Sequence, residues 1–407
     1  MTVSSSKDLE KNNQSWFPIH YFNLISRLTF GIDLNATTRH PTSNFQLYTS
    51  NIIFQSCINS LNFAFQFSNQ KTSMNLSARL KAFKTLGEQL WNMSEAELDE
   101  WYFRATAHNN WFTRENVVHA IKALGEMLQA EKLEQWIKRY DLAEESPKKI
   151  AVIMAGNIPL VGFHDFLSVL ISGNSVIAKL SSQDPYLLKE IVAKLIAIEP
   201  EFENKIELTQ ETIRGFDAVI ATGSNNSARY FEQYFGKYPN IIRKNRSSVA
   251  VLTGKESEEE IQALGKDIFQ YYGLGCRNVS KLLVPEGFDF SPFIKALEDF
   301  KWVADHHKWV NNYDYNKSIY LVNDEPHLDS GFFLMKEDEA LVSPISVLFY
   351  EFYKNEKELE DKLSKQEEQI QCVVKKGAEI EPGKAQQPEL WDYADGVDTL
   401  EFLSQLK

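Results

Sequence analysis

The chain has 407 residues, 43% of them hydrophobic, and a formal net charge of −13. That length supports one large core or two moderate ones, and so acidic a surface argues against nonspecific nucleic-acid binding, which needs clustered Lys and Arg. The three cysteines, Cys57, Cys276 and Cys372, are too few and too scattered for a disulfide framework, and no Cys-x-x-Cys or His-Glu-x-x-His pattern suggests a metal site.

No compact apolar run follows the charged start, and no stretch of about 18 apolar residues runs uninterrupted. The expectation is a soluble cytoplasmic protein without a membrane span. Residues 1–73 have a texture of their own: between Asn12 and Gln70 the only charges are Arg27, Asp33 and Arg39. Two readings stand side by side. One is an additional helical or strand-bearing extension; the other takes Met74 as the physiological start and what precedes it as a dispensable tail.

From Met74 to Asp141 the pattern is helical. Ser94 and Glu97 have the spacing of a capping box, followed by Leu98, Trp101, Tyr102 and Ala105 at helical intervals. Val117 to Leu128 and Leu133 to Tyr140 predict two more helices. After Pro147 short apolar runs alternate with helical stripes. Strands are predicted at Ile150–Met154, Ser175–Leu180, Phe216–Ala221 and Val249–Leu252, with Asp184-Pro185 opening one of the intervening helices. This alternation predicts a parallel sheet in an α/β domain. A capping box at Ser257 and Glu260 starts a helix that stops at Gly273-Leu274-Gly275-Cys276. Strands predicted at Lys281–Val284, Ile319–Val322, Ser346–Phe349 and Gln371–Val374 suggest a second α/β unit, and Glu351–Glu368 reads as a solvated helix face. The expected division is 1–73, 74–252, 253–390 and a tail from 391 to 407.

Ligands of open parallel sheets bind beyond the carboxyl ends of the strands. Three such ends carry small or polar residues: Gly156-Asn157, Lys179 to Ser182, and Gly223-Ser224. Lys179 ends an otherwise apolar strand, where it can reach a ribose or phosphate or simply face solvent. Gly223 offers either close approach for a pyrophosphate or an ordinary strand-to-helix turn. No Gly-x-Gly-x-x-Gly fingerprint exists, so a standard dinucleotide motif is not supported. Cys276, flanked by glycines, is accessible enough to be a nucleophile, though a lone cysteine is more often a small core residue. Cys372 reads as packed in a strand. His306-His307 reads as a solvent-facing pair, with an acid role the alternative, and Arg277 as a surface arginine, with thiol activation the alternative.

Together these segments resemble the aldehyde dehydrogenase superfamily, and within it the LuxC-like acyl-CoA reductases. Ala155-Gly156-Asn157-Ile158-Pro159 is similar to the superfamily's Pro-Trp-Asn-Phe-Pro segment, and Ser172 to Lys179 to its Gly-Asn-Thr-Val-Val-Val-Lys segment. Thr222-Gly223-Ser224 matches its Thr-Gly-Ser turn, and Gly273 to Cys276 stands where its cysteine loop stands. Residues Asn109 to Asn116 and the tail Asp392 to Asp398 look like the acyl reductase branch. The resemblance implies an aldehyde dehydrogenase-like α/β fold with two parallel-sheet domains, cofactor-binding and catalytic, and a helical N-terminal region.

It further implies Cys276 as the acyl-accepting thiolate, with Asn157 and the Cys276 N–H forming an oxyanion hole. Lys179 and Ser181 would hold the adenosine ribose or its phosphate, and Gly223 and Ser224 would lie beside the pyrophosphate. Glu339, in a segment similar to Glu-Ile-Phe-Gly-Pro, would serve the nicotinamide ribose, although it sits one residue farther from the proline. The cofactor would be NADPH, with NADH the other candidate. The donor would be acyl-CoA or an acylated partner protein, and an assembly of identical subunits is compatible with the family. The stretch matching the water-activating Glu-Leu-Gly-Gly segment of oxidising relatives, Ile242 to Ser248, has no carboxylate. That favours reduction of a fatty acyl thioester to aldehyde over two alternatives, an NAD-dependent dehydrogenase making acids and a noncatalytic scaffold.

Overall fold

Four amphipathic helices lead into the first sheet: α1 (Leu76–Trp91), α2 (Glu95–Thr106), α3 (Arg114–Met127) and α4 (Ala130–Ile137). Residues 74–142 and 146–406 are those described by the structure, a computed structural model; Cys57 and the choice between tail and extension lie outside them. Helix α1 buries Ala82, Phe83, Leu86 and Leu90 on one stripe, each large side chain contributing about 1.5–3 kcal/mol. The Ser94 hydroxyl caps α2 by accepting from the Glu97 N–H, but the Glu97 carboxylate turns to Lys194 at 2.5 Å, so only half of the expected capping box forms. Both halves form at Ser257 and Glu260.

The first sheet contains β1 (Lys149–Ile153), β2 (Ser175–Lys179), β3 (Ile206–Thr209), β4 (Ala218–Thr222) and β5 (Asn240–Arg243), in the order β3-β2-β1-β4-β5 and all parallel. Its crossovers are α5 (Phe163–Ile171), α6 (Leu187–Ile198) and α7 (Asn225–Phe235). The main core joins α1–α6 to this sheet. Asp184 does not start α6, which begins at Leu187. Its carboxylate instead accepts from the N–H groups of Leu160 (2.9 Å) and Leu187 (3.4 Å), tying the loop after β1 to that helix.

The second sheet contains β6 (Ser247–Val251), β7 (Val279–Pro285), β8 (Leu328–Asp329), β9 (Leu334–Glu337), β10 (Val347–Tyr353) and β11 (Ile370–Lys375). Their order is β11-β6-β7-β10-β9-β8, antiparallel only at the β8–β9 edge. Around it lie α8 (Glu258–Phe269), α9 (Phe290–Ala296), α10 (His307–Val322) and α11 (Glu356–Lys365). Strand β6, read from sequence as the last strand of the first sheet, pairs with β7 and β11. The chain therefore changes sheets between Arg243 and Ser247.

Ile319–Val322, expected as a strand, is the last turn of α10. Its stripe is Trp309, Tyr313, Asn316 and Tyr320, too polar to read as periodic, while Leu321 and Val322 of the apolar run face solvent. Glu351, assigned to a solvated helix, lies in β10, where its carboxylate bridges Lys281 and Lys362. The tail ends in α12 (Thr399–Ser404), whose Leu400 and Leu403 return to the core of the first sheet. Among the described residues no helix is long and apolar enough to cross a membrane.

Candidate active site

Cys276 lies in the turn between α8 and β7, and that turn is held by side chains from two clamps. After Phe269, residues Tyr271, Tyr272 and Gly273 take left-handed backbone conformations, with φ of 54°, 56° and 73°. Such a conformation costs a non-glycine residue about 1–3 kcal/mol, so the surroundings must enforce it. Asn278, 1% exposed, is one clamp. Its Nδ2 donates to the carbonyls of Gln270 (2.7 Å) and Asp267 (3.0 Å), and its Oδ1 accepts from the Gly275 N–H (2.8 Å). A Cβ on Gly275 would lie 3.0 Å from that Oδ1, which leaves little room for a side chain. The carboxylate of Asp267 in turn accepts from the N–H groups of Gly383 (2.6 Å) and Ala385 (3.0 Å), and burial pushes its pKa up to about 7.

The second clamp is the segment from Asn109 to Asn116. Trp111 stacks on His306 at 4.7 Å and packs on Tyr272 at 5.4 Å, and Asn116 Oδ1 accepts from Gln270 Nε2 at 2.7 Å. Just beyond the segment, His119 Nδ1 and the Tyr271 hydroxyl are 2.8 Å apart. Asn109 reaches the other way: its Nδ2 donates to the carbonyl of Gly156 at 3.1 Å, beside Asn157. His306 is thus not a free surface histidine, and its Nε2 is 2.8 Å from the Asn110 carbonyl oxygen.

Asn157, at the exit of β1, meets the cysteine turn directly. Its Nδ2 donates to the Leu274 carbonyl at 2.7 Å, and its Oδ1 is buried without a hydrogen-bond partner among the described residues. The first sheet's strand exit and the second sheet's cysteine turn are therefore one site. Burial pushes the Cys276 thiol above its ordinary value; Arg277 opposes this, Asp395 and Cys372 add to it, and the residue's own N–H lowers it slightly. A thiol pushed up in this way has a smaller thiolate fraction at neutral pH than a free cysteine. Arg277 is half-buried rather than a surface arginine, and its guanidinium donates to the Asp392 carbonyl at 3.1 Å. Ser248 Oγ donates to the Cys276 carbonyl at 3.0 Å and lies 3.0 Å from the sulfur of buried Cys372.

The residues expected to hold a dinucleotide gather where the strand order of the first sheet reverses, at the carboxyl ends of β1, β2 and β4. Lys179 Nζ donates to the carbonyls of Gln210 (2.8 Å) and Glu211 (2.7 Å), which uses two of its three N–H bonds. Ser181 packs against Gly156, where a Cβ would come within 2.5 Å of its hydroxyl. At Gly223 the position of a Cβ lies 2.9 Å from Ser227 and Phe231 of α7, so this glycine is required for packing strand against helix. Ser224 caps α7 by accepting from the Ser227 N–H at 3.2 Å, so the helix starts directly after the carboxyl end of β4. Glu339 departs most from its expected place. Its side chain is exposed, while its carbonyl accepts from Lys281 (2.8 Å) and Gln366 (3.1 Å). The chain just beyond it borders the cysteine turn: Ser280 Oγ donates to the Leu341 carbonyl at 2.7 Å, and Val342 to Leu348 line a cavity of about 60 Å³ with Tyr272 and Gly273.

The tail segment Asp392 to Asp398 ties the parts together. The Tyr393 hydroxyl accepts from Trp136 Nε1 (2.7 Å) and lies 2.8 Å from that of Tyr140, which donates to Asp398 (2.7 Å). Between them Asp395, at a left-handed φ of 60°, pairs with Arg246 at 3.4 Å. Among the described residues no cluster of His, Cys, Asp and Glu could hold a metal ion.

An all-parallel sheet joined through Asn157 to a cysteine turn on a second sheet is the layout of the aldehyde dehydrogenase fold. Solved structures agree. Indole-3-acetaldehyde dehydrogenase in complex with NAD+ superposes with a TM-score of 0.57 at 16% identity, covering 79% of this chain and 76% of that one. Glyceraldehyde-3-phosphate dehydrogenase GapN from Methanocaldococcus jannaschii, complexed with NADP, gives 0.55 at 12% identity, covering 79% and 80%. The sequence model of the family described as acyl-CoA reductase (LuxC) matches residues 55–298, more than half of the chain, and the protein belongs to that family. The match begins at residue 55, upstream of Met74. A long-chain acyl-protein thioester reductase from Aliivibrio fischeri is 23% identical over 235 residues, 52% of this chain and 49% of that protein. A protein of the same description from Photorhabdus laumondii is 22% identical over 104 residues, 22% of each chain. The chain thus aligns with about half, or less, of these curated relatives.

Proposed function

We propose that this chain reduces a fatty acyl thioester to the aldehyde through an acyl group carried on Cys276. The observation that carries the reading is the hydrogen bond from Asn157 to the Leu274 carbonyl, which fixes an amide at the exit of β1 beside the turn that bears Cys276. As the Cys276 sulfur bonds to the thioester carbon, negative charge develops on the carbonyl oxygen. The N–H of Asn157 that Leu274 leaves free, together with the Cys276 N–H, would stabilise it. The donor's carbon–sulfur bond then breaks, its thiol departs, and a new thioester remains on the enzyme. The A. fischeri relative's description supports an acylated protein as donor; the family's supports acyl-CoA.

The residues at the strand reversal fit a nicotinamide dinucleotide, NADPH or NADH. Lys179 and Ser181 would hold its adenosine ribose or phosphate, and Gly223 with Ser224 at the N-terminus of α7 its pyrophosphate. Glu339 would reach the nicotinamide ribose only if its exposed side chain turns inward. When bound, the dinucleotide supplies the hydride that turns the enzyme thioester into aldehyde and frees the sulfur. The segment from Ile242 to Ser248 brings no carboxylate to activate water, which favours reduction over hydrolysis.

The test uses labelled acyl-CoA without NADPH. Label should accumulate on wild-type protein, leave as aldehyde when NADPH is added, and be absent with Cys276→Ser. An adduct that hydrolyses to fatty acid as fast as NADPH discharges it would replace the reductase reading with the dehydrogenase one.

A further inference from the structure

The segment from Asn109 to Asn116, which leads into α3, touches both halves of the site, and Asn109 is its link to the half that carries Asn157. Asn109 is 7% exposed, and its partners settle which end of its amide is which. Its Oδ1 accepts from the Trp111 N–H at 3.0 Å, so its Nδ2 is the end that meets the Gly156 carbonyl, at 3.1 Å. Its own N–H donates to the Ala105 carbonyl at 3.3 Å, which anchors it to the end of α2. The loop after β1 is tied down at its two ends, where the Met154 N–H donates to the Lys179 carbonyl (3.1 Å) and the Leu160 N–H to Asp184 (2.9 Å). Between those ends, among the described residues, the loop is held by the bond from Asn109 to Gly156 and the bond from Asn157 to Leu274. The circuit closes through Trp111, whose ring packs on Tyr272, two residues before Leu274.

We infer that Asn109 is a positioning residue for acyl transfer: it sets the direction in which the Asn157 amide meets the acyl oxygen. This rests on the acyl-transfer reading above. The Gly156 carbonyl and the Asn157 N–H belong to one planar peptide unit, so a bond that fixes the carbonyl fixes the plane from which the Asn157 side chain springs. The bond to Leu274 occupies one N–H of that side chain, and the plane held by Asn109 then decides where the other one points. Oxyanion stabilisation depends on a donor held in advance about 2.7–3.1 Å from the oxygen, and a misplacement of about 1 Å can cost about 100-fold. Without Asn109 the peptide turns about the dihedrals of Gly156, which has no side chain to restrain them, and the free N–H spreads over several directions. An effect exerted wholly through Asn157 cannot exceed the loss of the Asn157 amide itself, which bounds it at about 100-fold.

Two variants separate this link from the shape of its loop. Asn109→Asp keeps the acceptor for the Trp111 N–H and loses the donor to Gly156, whereas Asn109→Ala loses both. Each is made in the wild-type chain and in the Asn157→Ala chain, and single-turnover acylation by a long-chain acyl-CoA is measured. Both should acylate about 10–100-fold more slowly than wild type. In the Asn157→Ala chain the same changes should cost no more than about 3-fold, because the group they orient is gone. Dinucleotide affinity and alkylation of Cys276 by iodoacetamide, followed on the Cys276 peptide, should stay within a few-fold of wild type in both single variants, which also shows that they are folded. Alkylation is displacement at a saturated carbon and builds no charge on a carbonyl oxygen, so an oriented amide does not serve it. Equal losses with and without the Asn157 amide, or an aspartate variant that acylates as wild type does, would overturn the positioning role. So would alkylation that falls or rises in step with acylation, because Asn109 would then be shaping the cysteine turn. A wild-type chain that alkylates normally yet takes no acyl group from acyl-CoA would instead overturn the acyl-transfer reading, and this proposal with it.

Discussion

Replacing Asn278 tests whether the cysteine turn is held as its hydrogen bonds indicate. The side chain is buried, donates to the carbonyls of Asp267 and Gln270, and accepts from the Gly275 N–H. Asn278→Ala leaves that N–H and the two carbonyls without their partner. At about 1–3 kcal/mol per buried group left unsatisfied, offset by release of strain at Tyr271 and Tyr272 and by water entry, the expected loss is about 2–4 kcal/mol. Asn278→Asp keeps the acceptor for Gly275 but turns a carboxylate oxygen toward the carbonyls, so it should be less stable than the alanine variant despite its closer shape. Urea unfolding followed by fluorescence gives the order, and the alkylation rate of Cys276 reports the turn. Both variants should alkylate at rates nearer those of a free thiol. An aspartate variant as stable as wild type, or more stable than the alanine variant, would refute the donor assignment on which this reasoning rests.

Asn157→Ala should lower turnover by about 100-fold or more with dinucleotide affinity largely kept; a loss confined to cofactor binding, read by fluorescence titration, would make it a cofactor residue. Because burial raises the Cys276 pKa, its thiolate fraction at pH 7 falls below that of free cysteine, and alkylation should keep accelerating as pH rises past the ordinary thiol value near 8.5. Arg277→Met should slow alkylation at pH 8, and a wild-type plateau below that pH would contradict the assignment. Arg243→Met strands the buried Asp165 carboxylate and removes the 2.9 Å bond to Thr399. It should cost about 3–5 kcal/mol, and a compensating Asp165→Leu should recover much of the loss in thermal unfolding. Cys372→Ser should accept acyl label almost as wild type does.

The sequence was most legible where one residue reports on its own surroundings. Apolar runs closed by Gly156-Asn157, Lys179 and Thr222-Gly223 marked β1, β2 and β4, because a strand buried on both faces needs an unbroken apolar run and its exit needs small or polar residues. Strands β3 and β5 at the sheet edges are short and partly exposed, and left no such trace. The last turn of α10 looked like a strand because Ile319 and Val322 are β-branched and the run between them is apolar, although only Tyr320 of that run is buried.

What the sequence by itself determined was local: the helix caps at Ser94 and Ser257, the parallel α/β alternation, the candidacy of Cys276 and Asn157, and the two motifs around Trp111 and Tyr393. What those motifs do was decided by tertiary structure. Trp111 and Asn116 touch the cysteine turn, Asn109 meets Gly156 beyond β1, and Asp392 and Asp395 meet Arg277 and Arg246, across separations in sequence that no periodicity records. The same holds for the assignment of β6 to the second sheet. An isolated strand satisfies its polar backbone equally well against any neighbour, so the choice of β7 and β11 is made only when both cores close around it.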